Sequence, residues 1–222
     1  MFFRKKSKGV KDSDYLANVN RLQRELRAAI ESWSEHTGER FTFWAPDIPE
    51  SKLLGAKIFT NRYRGIESLP KKGIWVEVGT QQGYFAKSII ELIDPSELHL
   101  IDLYTDQIIT SLFDGGKNIV IHEGDSSSIL KTFADNYFDV IYIDASHSYE
   151  NFLKDLNVAT LKIKSGGFIV CNDYTVWSPG EVEHYGILRA VHELLSNSEA
   201  FSVEYIALQG QGYHDICLKR NE

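Results

Sequence analysis

The fold is decided by one stretch, residues 74–92, which reads IWVEVGTQQGYFAKSIIEL. A short apolar run rich in β-branched residues ends at Gly79, and a helical pattern of apolar residues begins at Phe85. This pattern predicts a strand, a tight turn and a helix. Gly79 allows backbone conformations that other residues avoid, and Gly83 lets a ligand approach the free amides at a helix N-terminus. The turn is therefore a candidate ligand site, with an ordinary turn as the alternative.

The turn departs from two common phosphate-binding motifs. A dinucleotide fingerprint needs further glycines where Gln81 and Tyr84 stand, and a P-loop needs Gly-Lys-Ser/Thr where the sequence has 83–85, GYF. Glu77 would repel a pyrophosphate, whereas it suits a ligand that carries positive charge. A nicotinamide oxidoreductase is therefore disfavoured, and a cationic cofactor fits better.

Composition indicates an acidic protein with one sizeable core. The chain has 222 residues, of which 43% are hydrophobic, and a net charge of −7. The first eleven residues hold five of the 24 basic residues and none of the 31 acidic ones, so residues 12–222 have a net charge of −12. We expect residues 1–12 to be a flexible basic tail, with phosphate or membrane contact as the alternative. The acidic body should repel nucleic acid.

The sequence contains no apolar run near the ~20 residues of a membrane span and no apolar signal-peptide stretch at its start. We therefore expect a cytoplasmic protein without a membrane partner. Cys171 and Cys217 lie in strand-like runs without metal-binding spacing, so both are predicted to be buried free thiols.

Residues 13–72 are predicted to form an N-terminal helical extension and a lid. Apolar spacing predicts a helix over 13–37, and Gly38 ends it. The apolar stripe of this helix could dock on its own domain, cover the cofactor or meet a second subunit, so it is compatible with a homodimer. Residues 39–72 are irregular and aromatic, which suits a lid or a substrate-facing segment, with plain packing as the alternative.

Strand and helix patterns alternate from residue 74 onward, which predicts βαβ units and a parallel sheet. The segment 209–212, QGQG, predicts a hairpin between the last two strands. The predicted strands are 74–78, 98–103, 118–122, 138–144, 167–172, 202–208 and 214–219, and the predicted helices are 84–93, 105–113, 127–135, 149–162 and 186–196.

Residues 73–222 are predicted to form one domain, and residues 74–220 of it resemble a class I S-adenosylmethionine (SAM)-dependent methyltransferase domain. The pattern Glu77-x-Gly79-x-x-x-Gly83 resembles motif I of that family, and parallel strands followed by a hairpin resemble its sheet. The resemblance implies an α/β, Rossmann-like sheet of seven strands, mostly parallel with an antiparallel last strand and helices on both faces. It also implies SAM as the cofactor, bound by Glu77, Gly79, Thr80 and Gly83.

Further cofactor contacts are expected where strands end, because ligands of open α/β sheets bind beyond the carboxyl ends of the strands. Asp102 ends the second strand, where a carboxylate can accept both ribose hydroxyls, with a solvated loop aspartate as the alternative. Asp125 and Ser126 follow the third strand. In the resembling family an acid here meets the adenine amino group, and capping of the next helix is a competing but compatible role.

Residues after the fourth and fifth strands suggest the chemistry. Asp144 ends the fourth strand with His147 three residues later, and Asn172 and Asp173 end the fifth. One crossover separates these strands, so Asp144, Asn172 and Asp173 can converge on a magnesium ion. His147 titrates in the range needed to take a proton from a hydroxyl group, and a non-reacting histidine at the rim is the alternative.

The segments 143–150, 166–168 and 172–174 are similar to the bacterial small-molecule O-methyltransferase branch that includes the macrocin and catechol types. This implies O-methylation of a small hydroxylated molecule, such as a sugar or natural-product intermediate, with His147 and Asp144 as catalytic residues. The order Asn172-Asp173 reverses the Asp-Asn order of the catechol type, so the metal stays open. The alternatives are a non-catalytic cofactor-binding protein and a nucleic-acid methyltransferase, which the missing Asn/Asp-Pro-Pro-Tyr/Phe motif disfavours.

Overall fold

The computed structural model describes residues 45–113 and 118–222, together with four positions near the N-terminus. Those four, Arg21, Arg24, Glu25 and Ala28, are helical, and Arg21 Nη1 lies 2.9 Å from Glu25 Oε1. The rest of the helix predicted over 13–37 and the predicted tail 1–12 lie outside the described residues. The chain divides into two compact units, Met1–Phe43 and Trp44–Glu222.

The second unit alternates strands and helices, as the sequence pattern predicts. Its strands are β1 (Lys57–Phe59), β2 (Ile74–Val78), β3 (Glu97–Asp102), β4 (Ile119–Glu123), β5 (Phe138–Ile143), β6 (Ile163–Cys171), β7 (Trp177–Ser178), β8 (Glu183–His184), β9 (Phe201–Ala207) and β10 (Asp215–Arg220). Its helices are α1 (Arg62–Glu67), α2 (Tyr84–Ile93), α3 (Ser126–Thr132), α4 (Tyr149–Lys162) and α5 (Ile187–Asn197), with short 3-10 helices at Glu50–Leu53 and Thr110–Phe113.

Eight strands form one sheet in the order β1-β9-β10-β6-β5-β2-β3-β4. Strands β4, β3, β2, β5 and β6 are parallel neighbours, and β10 is antiparallel to both β6 and β9. This confirms the predicted Rossmann-like α/β sheet with an antiparallel last strand. The predicted count of seven strands is wrong by one, because β1 pairs in parallel with β9 at the edge. Three residues are too few to show the alternation that reveals a strand.

Helices cover both faces of the sheet. The buried side chains of α1 and α2 pack on one face, and those of α3, α4 and α5 pack on the other. Strand β5 is buried on both faces, with Ile141 and Ile143 in one core cluster and Val140 and Tyr142 in the other. Burial on both faces explains its nearly continuous apolar sequence.

Two boundaries differ from the sequence prediction. The helix predicted over 105–113 is only the 3-10 helix Thr110–Phe113, because few residues there are buried and no continuous apolar stripe forms. Strand β6 begins at Ile163, four residues before the predicted start, and its register against β5 shifts along this region. Cys171 and Cys217 are buried free thiols, as predicted. Among the described residues, no helix is long and apolar enough to cross a membrane.

Gly79 brings the end of β2 against the end of β5. Its φ is +90°, and a Cβ atom at this position would lie 1.9 Å from the carbonyl oxygen of Asp144. The Asp144 amide donates to Val78 O at 2.7 Å, and the Gly79 amide donates to Ile101 O at 2.8 Å. Only glycine therefore fits where three strand ends meet.

Gly79→Ala should destabilise the protein far more than Gly55→Ala. Both residues have positive φ, but a Cβ added at Gly55 would have no neighbour within 4 Å among the described residues, so this control isolates the backbone strain. The overlap with Asp144 should lower the free energy of unfolding by about 2 kcal/mol beyond the control. Urea unfolding followed by circular dichroism measures both, and equal losses would contradict the close approach.

Candidate active site

A cavity of about 430 Å³ opens at the carboxyl ends of β2, β3, β4 and β5. This volume is within the range of small-molecule sites. Five residues predicted from the sequence to carry the site line the cavity: Gly79, Asp102, Asp125, Ser126 and Asp144. The strand ends thus bring together residues that are up to 65 positions apart in the sequence, as expected for an open α/β sheet.

The turn between β2 and α2 is closed by its own backbone. The Gly83 amide donates to Thr80 O at 2.9 Å, and Gly83 is the N-cap of α2 with φ +90°. A Cβ atom at Gly83 would lie 2.6 Å from the Phe113 ring, so the second glycine makes room for the segment after β3. In this structure Gly83 is thus needed for packing, whereas Gly79 lines the cavity itself.

Asp102 connects two loops at the cavity wall. Its Oδ2 accepts a hydrogen bond from the Gln81 amide at 2.7 Å, and its Oδ1 accepts one from the Tyr104 amide at 3.0 Å. An ionised carboxylate has about four acceptor positions, so each oxygen keeps one for a ligand. Asp102 can therefore order the turn after β2 and accept ligand hydroxyls as well.

Glu77 and Thr80 are buried beside Gly79. Among the described residues, Glu77 Oε2 and Thr80 Oγ1 have no hydrogen-bond partner. Burial raises the pKa of Glu77, and the neighbouring Thr80 hydroxyl and Arg62 only partly offset this effect. Buried polar atoms without partners are rare in proteins, and the Thr80 hydroxyl is the nearby donor that favours the charged form of Glu77.

Asp125 caps α3, the alternative role that the sequence left open. Its Oδ1 accepts hydrogen bonds from the Ser128 amide and the Ser127 hydroxyl, both at 2.9 Å, and these bonds lower its pKa. The Ser126 hydroxyl points to Asp155 on α4, at 2.6 Å from Oδ1 and 2.8 Å from Oδ2. Asp125 Oδ2 keeps its acceptor positions beside the cavity.

A second group of polar residues, which we call the acid–histidine cluster, consists of Asp144, His147 and Asp173. His147 Nε2 lies 3.9 Å from Asp144 Oδ1 and 3.5 Å from Asp173 Oδ2, and the potential ligand atoms of the three residues lie within 4.8 Å of one another. Nε2 is buried and has no hydrogen-bond partner in the described part of the chain. The His147 ring stacks on Tyr185 with a centroid distance of 4.2 Å.

Burial and neighbouring charges shift the pKa values of His147 and Asp173 in the cluster. Burial opposes a positive charge on His147, but Asp144, Asp173 and Glu181 outweigh it and raise the pKa of the imidazole. Burial, followed by the repulsion of Asp144, raises the pKa of Asp173 to about 6. The two groups therefore compete for a proton near neutral pH.

The hairpin of β7 and β8 approaches His147 from the other side. Glu181 Oε2 accepts a hydrogen bond from the Tyr185 hydroxyl at 2.5 Å and lies 3.7 Å from His147 Nδ1. Glu181 lies in the irregular segment 175–186, so periodicity gave no signal for this contact. Its position is suited to orienting the imidazole.

Asn172, predicted as a metal ligand, adjoins the cluster but points elsewhere. It is buried, and its Nδ2 donates to Asp215 Oδ1 at 3.0 Å. Of the predicted trio, Asp144 and Asp173 come together, and the third group beside them is His147. Asp215, the hydrogen-bond partner that directs the Asn172 amide away from the cluster, lies in β10.

Asp215 and Arg62 are functional candidates that sequence reasoning missed. Asp215 is fully buried and accepts hydrogen bonds from the Tyr142 hydroxyl at 2.8 Å and Gln209 Nε2 at 2.8 Å, in addition to Asn172. Arg62 Nε lies 4.0 Å from Asp215 Oδ1, and the guanidinium lies over the Phe85 ring. An acid in the apolar run 215–218 was a signal for Asp215, whereas Arg62 lies in a segment without a pattern.

Arg62 supplies a fixed positive charge beside the cluster. Burial opposes its charge, but Tyr142, Asp215, Asp144 and Asp173 raise the pKa of the guanidinium above its ordinary value. Arg62 thus partly neutralises the buried acids while leaving the carboxylates of the cluster in excess. The rim as a whole favours a cationic ligand.

Comparisons with known proteins agree with this arrangement. Residues 76–174 match the family model described as a methyltransferase domain. Similar solved structures include an rRNA methylase from Streptococcus thermophilus, at 12% identity and TM-score 0.55 over 72% of this chain and 94% of that chain. A SAM-dependent methyltransferase from Aquifex aeolicus has 16% identity and TM-score 0.56, over 78% of this chain and 94% of that chain.

A third similar structure contains a bound ligand. A Streptococcus mutans protein in complex with S-adenosylhomocysteine (SAH) has 13% identity and TM-score 0.53, over 71% of this chain and 94% of that chain. No curated protein sequence matches the chain. At these identities the solved structures establish the shared fold, and the acceptor must be inferred from the site itself.

The titration of His147 tests the electrostatics of the cluster. We expect NMR of the histidine side chains to give a pKa above the ordinary 6.5 for His147, because the carboxylates stabilise the imidazolium. Asp173→Asn should lower that pKa. The control is Glu183→Gln, which removes an exposed acid from the hairpin of β7 and β8. This variant should leave the pKa of His147 unchanged. A His147 pKa that does not respond to Asp173→Asn would contradict the coupling.

Proposed function

We propose that the chain is a class I SAM-dependent methyltransferase and that it methylates a hydroxyl group of a small molecule. The observation that carries the proposal is the position of Asp144. This residue lines the cavity and also belongs to the acid–histidine cluster. A methyl donor in the cavity and an acceptor at the cluster would therefore both lie next to Asp144.

The residues around the cavity fit SAM. Asp102 has acceptor positions for ribose hydroxyls, and Asp125 and Ser126, which line the same cavity, would contact the adenine. Glu77 and Thr80 are buried next to Gly79 and would support the turn that holds the donor. The excess of carboxylates at the rim also favours the positive sulfonium over a neutral ligand.

The chain's own residues can complete the chemistry. When bound, SAM supplies a methyl group on a sulfonium, which the acceptor oxygen displaces in line. His147 Nε2 is available to receive the hydroxyl proton, and Asp144 and Asp173 stabilise the imidazolium that results. Glu181 Oε2 lies 3.7 Å from the opposite ring nitrogen, Nδ1, and its charge favours a proton on that nitrogen, which would leave Nε2 as the accepting atom.

The cluster also fits a divalent cation, which would be held by Asp144, Asp173 and His147. Two carboxylate oxygens and one imidazole nitrogen are close enough to share an ion. An imidazole ligand suits Mn²⁺ and other transition metals better than Mg²⁺, so both Mg²⁺ and Mn²⁺ should be tested. Such an ion would lower the pKa of the acceptor hydroxyl, and His147 would then be a ligand instead of the base.

A small acceptor suits the charge of the protein better than a nucleic acid. Residues 12–222 have a net charge of −12, and acidic side chains surround the reaction site, so a polyanion would be repelled. The likeness to an rRNA methylase concerns the fold. We propose a sugar or natural-product intermediate with a free hydroxyl group as the acceptor class, and a protein without nucleic-acid or membrane partners.

Calorimetric titration with SAM tests the cofactor site. We expect the wild-type protein to bind SAM and Asp102→Ala to weaken binding by about tenfold or more, because about 1 kcal/mol is lost with each ribose hydrogen bond. Asp106→Ala is the matched control, since Asp106 is an exposed acid on the same loop that does not line the cavity. A wild-type protein that does not bind SAM would overturn the proposed function.

Methyl transfer to a panel of hydroxylated small molecules tests the chemistry and separates the two roles of His147. Mass spectrometry detects the methylated products. His147→Ala should lower the rate by a factor of about 10²–10⁴. If His147 is the base, the methylation rate should rise as the pH increases through the raised pKa of His147, because the base must be neutral, and a chelator should not change the rate. As a metal ligand, it should give activity that the chelator abolishes and Mn²⁺ or Mg²⁺ restores. SAM binding without transfer to any acceptor would instead indicate a non-catalytic cofactor-binding protein.

A further inference from the structure

Asp155 is an acid at a core position of α4. It lies between Phe152 and Leu156 on the buried face of the helix, and only 2% of its surface is exposed. Acids at such positions need a compensating partner, because burying an unpaired charge is costly. The partner here is Ser126, at the start of α3.

The contact between Ser126 and Asp155 fixes the direction of one hydrogen bond. Both oxygens of Asp155 lie within 2.8 Å of Ser126 Oγ, so the single hydroxyl proton of Ser126 is committed to this carboxylate. Burial raises the pKa of Asp155 to about 6, so the group is ionised at pH 8 and can only accept. Ser126 therefore presents lone pairs, and no proton, to any other group.

Ser126 and Asp155 both line the cavity at the end formed by the loop after β4. Asp125 Oδ1 in the same loop already accepts two hydrogen bonds, and its free Oδ2 is also an acceptor. Lys154 lines this region too; its Nζ donates one of its three protons to Asn151 Oδ1 at 3.1 Å and keeps two as donors. The side chains of Asp125 and Ser126, by contrast, present acceptors to a ligand here.

We propose that Asp155 is a positioning residue that holds Ser126 as an acceptor for the exocyclic amino group of adenine. The site would then reject hypoxanthine, which carries a keto oxygen at that position and needs a donor. This inference rests on the proposed function, since it concerns the adenine end of SAM and SAH. The inference extends the proposed function, because it assigns selectivity for the adenine base to a residue on α4.

The test compares the affinities of SAH and S-inosylhomocysteine, in which hypoxanthine replaces adenine, by calorimetry at pH 8. We expect the wild-type protein to prefer SAH by about tenfold or more, since the wrong base leaves two acceptors facing each other. In Asp155→Asn the new amide can donate to Ser126 Oγ, so the hydroxyl proton becomes free to turn to the cavity. The preference should then shrink by about tenfold.

Ser126→Ala and the variant with both Ser126→Ala and Asp155→Asn complete a double-mutant cycle. Ser126→Ala should also reduce the preference, and adding Asp155→Asn should change it no further, because Asp155 acts only through Ser126. Ser126→Ala keeps the Asp155 side chain, although it removes its partner, and so gives a second test if Asp155→Asn fails to fold; circular dichroism shows whether each variant is folded. Glu150→Gln, on an exposed position of the same helix, is the control and should keep the wild-type preference.

The outcomes separate the inference from the function on which it rests. Equal wild-type affinity for the two ligands, or a preference that survives Ser126→Ala, would overturn the inference alone. So would an Asp155→Asn variant that loses affinity for both ligands by the same factor, since that result would indicate only a packing role between α3 and α4. A wild-type protein that binds neither ligand would overturn the proposed function and the inference together.

Discussion

The contact on which the site depends is the close approach of Gly79 to the carbonyl oxygen of Asp144. It requires a residue without a side chain at the end of β2, and it holds the ends of β2, β3 and β5 in contact through two short backbone hydrogen bonds. Because the end of β5 is fixed against the turn, Asp144 faces the cavity while its side chain stays in reach of His147. A single backbone contact thus joins the cavity to the acid–histidine cluster.

Charge explains why the acids around this contact can coexist. Asp215 is buried among Tyr142, Asn172 and Gln209, and Arg62 is the nearby cation that lowers the cost of its charge. The cluster in front of it keeps more negative than positive charge, so its free energy should fall when a cation arrives, either a sulfonium or a metal ion. The same excess makes a polyanionic acceptor unfavourable, which links the local electrostatics to the acidic composition of the chain.

Local patterns in the sequence predicted the strands and helices that form the cavity, because the signals for each element lie within a few residues. The bounds of β2, α2 and α4 agree with the structure since glycines or polar residues mark their ends. Strand β1 was too short to show alternation. The direction of Asn172 depends on Asp215, 43 residues further along the chain, and Arg62 and Glu181 come from segments without periodicity. Such long-range polar partners leave little local signal in the sequence. An acid inside an apolar pattern, as at Asp155, does however indicate that a buried polar partner is present.

The most direct test of the central claim is a crystal structure of the protein with SAH. If the cavity and the cluster form one reaction site, the sulfur of SAH should lie beside Asp144 on the side that faces His147 Nε2, with the adenine at Ser126 and the ribose at Asp102. SAH bound elsewhere, or bound with its sulfur turned away from the acid–histidine cluster, would show that Asp144 does not join a donor site to an acceptor site.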